Sequence, residues 1–182
     1  MAQIAPFAGI YYGDNLPLEE VIAPPYDVLS PAQQQALYDK HPQNIVRLIL
    51  NAETPEDTPD NNRYTRSAAF LREGLANGTF VQDSTPALYE YIQMFEHPLD
   101  PTQSVTRRAL FVALKLEPYA NGVVLPHEET HPKAKVDRLN LMRATVANPE
   151  PIYGLYEDPT LTVAKSLDAS RAGQEPFLKA VY

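Results

Sequence analysis

Residues 123–148 read VVLPHEETHPKAKVDRLNLMRATVAN, and the fold turns on whether the first half of that stretch is helical. It holds a literal H-E-x-x-H pattern, His127-Glu128-Glu129-Thr130-His131. On a continuous helix that pattern sets two imidazoles one turn apart with a glutamate base between them, as in zinc hydrolases. The flanking residues argue against such a helix. Pro132 biases His131 toward extended backbone, and its ring would clash with the Glu128 carbonyl of any helix begun near Pro126. At most one turn fits between the two prolines, and an isolated turn is not a stable helix. With no strong third ligand in view, the match reads as accidental. A metallohydrolase is disfavoured and no zinc is expected.

The helix begins after the proline. Val136, Leu139, Met142 and Val146 recur at i, i+3, i+6 and i+10, with Asp137, Arg138, Asn140 and Arg143 on the remaining face. Pro149 and Pro151 close it. An irregular polar loop thus feeds an amphipathic helix. Lys133, Lys135 and Arg138 near its start oppose the macrodipole, which favours anions there. Either Glu128, Glu129 and Asp137 offset them, or they form half of an anion site. A merely solvated charged loop is an equal reading.

Composition narrows the function classes. The 182 residues carry 15 basic and 23 acidic side chains, a formal charge of -8, which argues against binding nucleic acid by phosphate neutralisation. With no cysteine there is no disulfide framework, thiolate metal site or cysteine nucleophile. The start lacks a basic, then apolar, leader pattern, and no apolar run is long enough to span a bilayer, so a cytoplasmic protein without a membrane partner is expected. One domain is the default count for this length. Eighteen prolines against seven glycines require short elements.

Working outward from the central stretch, residues 4–12 read as an edge strand interrupted by Pro6. The segment VIAPPYDV follows, residues 21–28. Its Pro-Pro pair fixes the exit from a short strand and holds Tyr26 and Asp27 at the strand end. That is a rigid turn with a capping aspartate, or a pair of residues facing a pocket at the mouth of a sheet. Ser30-Pro31 opens a helix ended by His41-Pro42. NIVRLIL, residues 44–50, reads as a buried strand. A helix from Asn61 closes at Asn77-Gly78. Residues 87–96 and 105–116 form a hairpin, the second strand apolar on both faces and therefore central, the first bearing a Tyr89, Tyr91, Phe95 stripe read as core rather than as a cofactor platform. PIYGLY, residues 151–156, gives another strand, residues 160–170 a helix, and PFLKAVY an apolar end that should dock on something. The fold class is α+β: a mixed, largely antiparallel sheet of about five or six strands with helices packed on it.

With these stretches in hand, the chain resembles the amino-terminal part of the family called domain of unknown function 1015. The matching blocks run in order along nearly the whole length: IAPFAGI, VIAPPYDVLSP, NIVRLIL, NRYTRSAAFLREG, TRRALFVALKLE, GVVLPHEETH, DRLNLMRAT and PIYGLYED. The resemblance implies a longer protein of which this is a fragment, with a second half carrying a stretch like A-D-G-H-H-R. It also implies kinship with the ParB/sulfiredoxin-like superfamily, which includes kinases of free serine. The family pattern P-H-E-x-T fits Pro126, His127, Glu128 and Thr130, whereas His131 departs from it, which places the second imidazole outside the shared design.

The activity so implied is a nucleotide-dependent phosphotransferase acting on a small hydroxy metabolite, with ATP or ADP and Mg²⁺. In that expectation Lys135 and Arg138 neutralise phosphate oxygens, Tyr26 lines the nucleotide site, His127 or Glu128 is the acid/base, and Asp27 positions a hydroxyl or Mg²⁺. The competing reading is a non-catalytic ligand- or partner-binding module, motivated by the acidic charge and the apolar end.

Overall fold

A computed structural model describes residues 2–181. The chain divides into two compact units, one of Met1–Gly9, Asp83–His127 and Tyr153–Glu175, the other of Ile10–Gln82, Glu128–Ile152 and Pro176–Tyr182.

The second unit holds the core, and its packing follows from local chemistry. A two-stranded antiparallel sheet pairs β2 (Ile10–Tyr12) with β3 (Phe80–Gln82). Around it stand α1 (Leu18–Val21), α2 (Pro31–Lys40), α3 (Val46–Ile49), α4 (Arg63–Asn77) and α5 (Pro132–Thr145). Tyr12, Val21, Leu48, Ile49, Leu71 and Phe80 form the buried cluster. Serine and asparagine caps begin the longer helices as their residue types dictate: Ser30 and Gln33 close a capping box on α2, and Asn62 and Thr65 do so on α4. Gly78, at φ 82°, ends α4 in the left-handed conformation that glycine adopts without steric cost.

Two segments read as strands are helical here. NIVRLIL contains α3 because fully buried Asn44 turns the chain: its Oδ1 accepts from the Val46 N–H at 3.0 Å, and its Nδ2 donates to the carbonyls of Glu20 and Ile22. An apolar run of that length fits a buried strand or a buried helix turn equally, and this bridge decides it. Val21 ends α1 rather than forming a strand.

The first unit is built on a long antiparallel hairpin, β4 (Tyr89–His97) with β5 (Asp100–Phe111), joined by a short turn. β1 (Ile4–Ala5) pairs antiparallel with β6 (Ala113–Leu114), and α6 spans Thr162–Arg171. Glu90 binds Arg108 and Arg171, and Asp168 of α6 binds the same two arginines, so ion pairs link helix to hairpin beside the half-buried Val163, Ala164 and Leu167.

The α+β class with antiparallel pairing holds, but not as one broad sheet: the strands form three separate two-stranded sheets. β5 is accordingly not central, and Tyr91 and Phe95 stand 41 % exposed each instead of forming core. No strand forms at residues 151–156. The terminal segment does find a neighbour, Phe177 meeting the Tyr11 ring edge-on at 5.2 Å.

Candidate functional site

The loop of the central stretch folds as its prolines require. Residues 125–131 are non-helical, His131 caps α5 and Pro132 is its first residue. His127 and His131 therefore do not stand on successive turns of a helix. Among the described residues no three His, Asp or Glu side chains gather as a metal-binding group.

α5 runs as its spacing indicates but turned over. Its buried residue is Leu141, flanked on the inward side by Asp137 and Arg138, whereas the apolar positions Val136, Leu139, Met142 and Val146 point outward. The reason is α4. Arg63 and Tyr64 in its first turn both reach Asp137, the tyrosine hydroxyl donating at 2.8 Å, and Arg63 also pairs with Glu53 at 3.2 Å. Charged partners on the facing helix hold the polar side of α5 inward, where the repeat of apolar residues alone would have turned it out.

At the centre of this arrangement is Arg138. Its Nε donates to Asp137 at 2.9 Å and its Nη2 reaches the same carboxylate, while Nη1 donates to the Ile49 carbonyl at 2.9 Å and to Glu150. Its guanidinium lies 3.7 Å from the centroid of the Tyr26 ring, a close cation–π stack. Tyr26 begins a single 3₁₀ turn, Tyr26–Val28, directly after the Pro-Pro pair, so the rigid exit delivers its ring onto α5 and leaves Asp27 exposed beside it. Two of the residues expected at a site, Tyr26 and Arg138, thus meet across 112 positions of chain (138 minus 26).

Electrostatics sort the two carboxylates. Burial alone would raise Asp137, but hydrogen bonds from Arg138 and Tyr64 and the charges of Arg138 and Arg63 outweigh it and hold the group below the usual aspartate range. Glu150 behaves oppositely. Burial pushes it up, the hydrogen bond and charge of Arg138 and the Tyr26 backbone N–H pull down less strongly, and Asp27 adds a further upward push. One cluster therefore holds two carboxylates whose proton affinities are pushed in opposite directions, Asp137 down and Glu150 up, the kind of separation found at acid/base sites.

Space is uneven around the cluster. Beneath Arg138, a cavity of about 10 Å³ lined by Leu50, Asn51, Arg63, Tyr64, Ser67 and Leu141 has room for about one water. On the side of Tyr26, Asp27 is exposed to solvent. A surface cleft of about 260 Å³ between residues 13–19 and 177–179 is lined by none of these residues.

Sequence reasoning missed Glu150, Arg63 and Tyr64. A signal for Glu150 was present, since an acid held between Pro149 and Pro151 has little backbone freedom. Lys135 is exposed on α5, one turn from Arg138, and His127 and Glu128 are exposed on the loop. No helix among the described residues is long and apolar enough to cross a membrane.

These blocks, folded this way, have a counterpart among protein families. A family model described as a protein of unknown function (DUF1015) matches residues 4–181, and the chain belongs to that family. No curated protein and no solved structure matches it.

Proposed function

We propose that this chain supplies the acid/base and acceptor-positioning part of a nucleotide-dependent phosphotransferase that acts on a small hydroxy metabolite in the cytoplasm, with kinship to the ParB/sulfiredoxin-like superfamily. The observation that carries the reading is the placement of the Glu150 carboxylate, paired with Arg138, which stacks on the Tyr26 ring, and lying beside exposed Asp27, where burial raises its proton affinity. A partly buried carboxyl of raised affinity can take the proton that the acceptor hydroxyl loses as its oxygen bonds to phosphorus and the bond to the leaving nucleotide oxygen breaks.

Roles follow for the chain's own residues. Asp27 orients the hydroxyl or holds Mg²⁺ by one oxygen, the remaining ligands being nucleotide oxygens and water, the usual habit of that ion. Lys135 meets phosphate from the helix surface. Arg138 acts as a positioning residue, because four of its five N–H donors are already engaged by Asp137, Glu150 and the Ile49 carbonyl. His127 and Glu128 remain the rival acid/base pair.

Nucleotide consumption by the natural gene product, assayed with ATP and with ADP against free serine and other hydroxy metabolites, tests the proposal. Turnover that needs the hydroxy acceptor and falls about a hundredfold or more in Glu150→Gln or Asp27→Asn supports it. A loss confined to His127→Ala or Glu128→Gln moves the acid/base role to the loop, and no turnover with any nucleotide defeats the proposal. The second reading, a binding module, is favoured by the apolar side chains left exposed on α5.

A further inference from the structure

The outward face of α5 is chemically distinctive. Val136, Leu139, Met142 and Val146 are 58, 44, 41 and 91 % exposed. At 3.6 residues per turn they share one side of the helix with Lys135 and Arg143, and Lys133 lies at its margin. The one acid of α5, Asp137, faces the other way, closed off by Arg63, Tyr64 and Arg138. The face therefore offers apolar side chains and two cations, with Lys133 beside it and no anion on it, on a chain whose net charge is -8. Glu128 and Glu129 belong to the preceding loop.

We propose that this face docks an acidic amphipathic polypeptide segment, which lays an apolar edge along Val136, Leu139 and Met142 and sets carboxylates against Lys133, Lys135 and Arg143. Charge selects this occupant. An anionic bilayer would meet the same cations, yet it would also face the rest of an acidic chain, which it repels. A second copy joined by a two-fold axis through this face would bring cations against cations. An acidic segment incurs neither penalty and covers the apolar stripe, the helix-in-groove logic of amphipathic recognition applied to an exposed helix. The docked segment needs no role for Glu150 and takes Lys135 in place of the phosphate contact proposed above.

Three probes and the oligomeric state test it on the whole chain. The first is a designed helical peptide with leucines at i, i+3, i+4 and i+7 flanked by glutamates. The second is the same peptide with lysines for glutamates, and the third is phosphatidylserine vesicles. The glutamate peptide is expected to bind at least tenfold more tightly than the lysine peptide and to weaken at least tenfold between about 0.05 and 0.5 M salt. Leu139→Gln and the pair Lys135→Glu, Arg143→Glu should each reduce binding at least tenfold, with unchanged melting because all three side chains are exposed. Equal binding of the two peptides, tighter binding to vesicles, concentration-dependent dimerisation lost in Leu139→Gln, or no binding of the glutamate peptide would each overturn the proposal. Should Leu139→Gln melt early, the salt dependence of the unaltered chain still decides.

Discussion

Replacing Arg138 by methionine removes the charge while keeping a flexible side chain of comparable length. Five interactions go: two donors to Asp137, the pair with Glu150, the bond to the Ile49 carbonyl and the stack on Tyr26. The side chains of Arg138, Asp137 and Glu150 are only 20, 14 and 21 % exposed, so the pairs are poorly screened. Breaking one partner of a buried pair costs about 3–5 kcal/mol, mostly because a charge is left uncompensated. Asp137 keeps Arg63 and Tyr64, which limits its share of the loss. Glu150 keeps only a backbone donor, and the stack on Tyr26 adds about 0.5–2 kcal/mol. A total near 3 kcal/mol is expected, which for a chain of this size lowers the melting temperature by roughly 6–12 °C.

The pH dependence identifies the source. With Arg138 gone, Glu150 sheds its penalty by binding a proton, so the loss should shrink from pH 8 to pH 5, and Glu150→Gln in the same chain should recover part of it. Differential scanning calorimetry of the single and double variants provides the readout. A melting shift under about 2 °C, or a loss that grows as pH falls, would refute the assignment of Arg138 as the hub of the cluster.

Further outcomes follow from the same geometry. In the unaltered chain Glu150 has a raised folded-state affinity for its proton, so its contribution is present at low pH and is lost as pH rises through its folded value, whereas depressed Asp137 contributes above its unfolded value and loses that as pH falls. Stability–pH curves of Glu150→Gln and Asp137→Asn should therefore lose limbs of opposite sign. Asn44→Ala strips two part-buried carbonyls and one buried N–H of their partner and should cost about 2 kcal/mol in urea unfolding. Val146→Gly should stabilise by about 1 kcal/mol, because a β-branched residue at φ 51° caps α5 where glycine would carry no strain. Gly74→Ala should lower the melting temperature despite its better helix propensity, since its Cβ would run into the Phe80 ring.

Much of the chain was legible wherever the deciding chemistry is local. Ser30-Pro31, Asn62 with Thr65, and Asn77-Gly78 marked helix ends through side chains and backbone within a few residues of each other. Pro126 and Pro132 marked a loop through sterics alone. What could not be read was anything decided by a distant partner. Asn44 makes NIVRLIL helical by bonding to carbonyls more than 20 residues earlier. Arg63 and Tyr64 turn the polar side of α5 inward from more than 70 residues away. The same contacts explain the candidate site: Tyr26 and Arg138 were singled out for their own chemistry and do meet, while Glu150 acquires its raised affinity only from where it is buried.

The pH–rate profile of the natural gene product, set beside that of Glu150→Gln, addresses the functional account most directly. A general base must be ionised to act, so turnover should rise with pH through a value above that of an ordinary glutamate, and the variant should lose both that limb and most of the rate while remaining folded at the assay temperature. Full turnover with an unaltered profile in Glu150→Gln would contradict it.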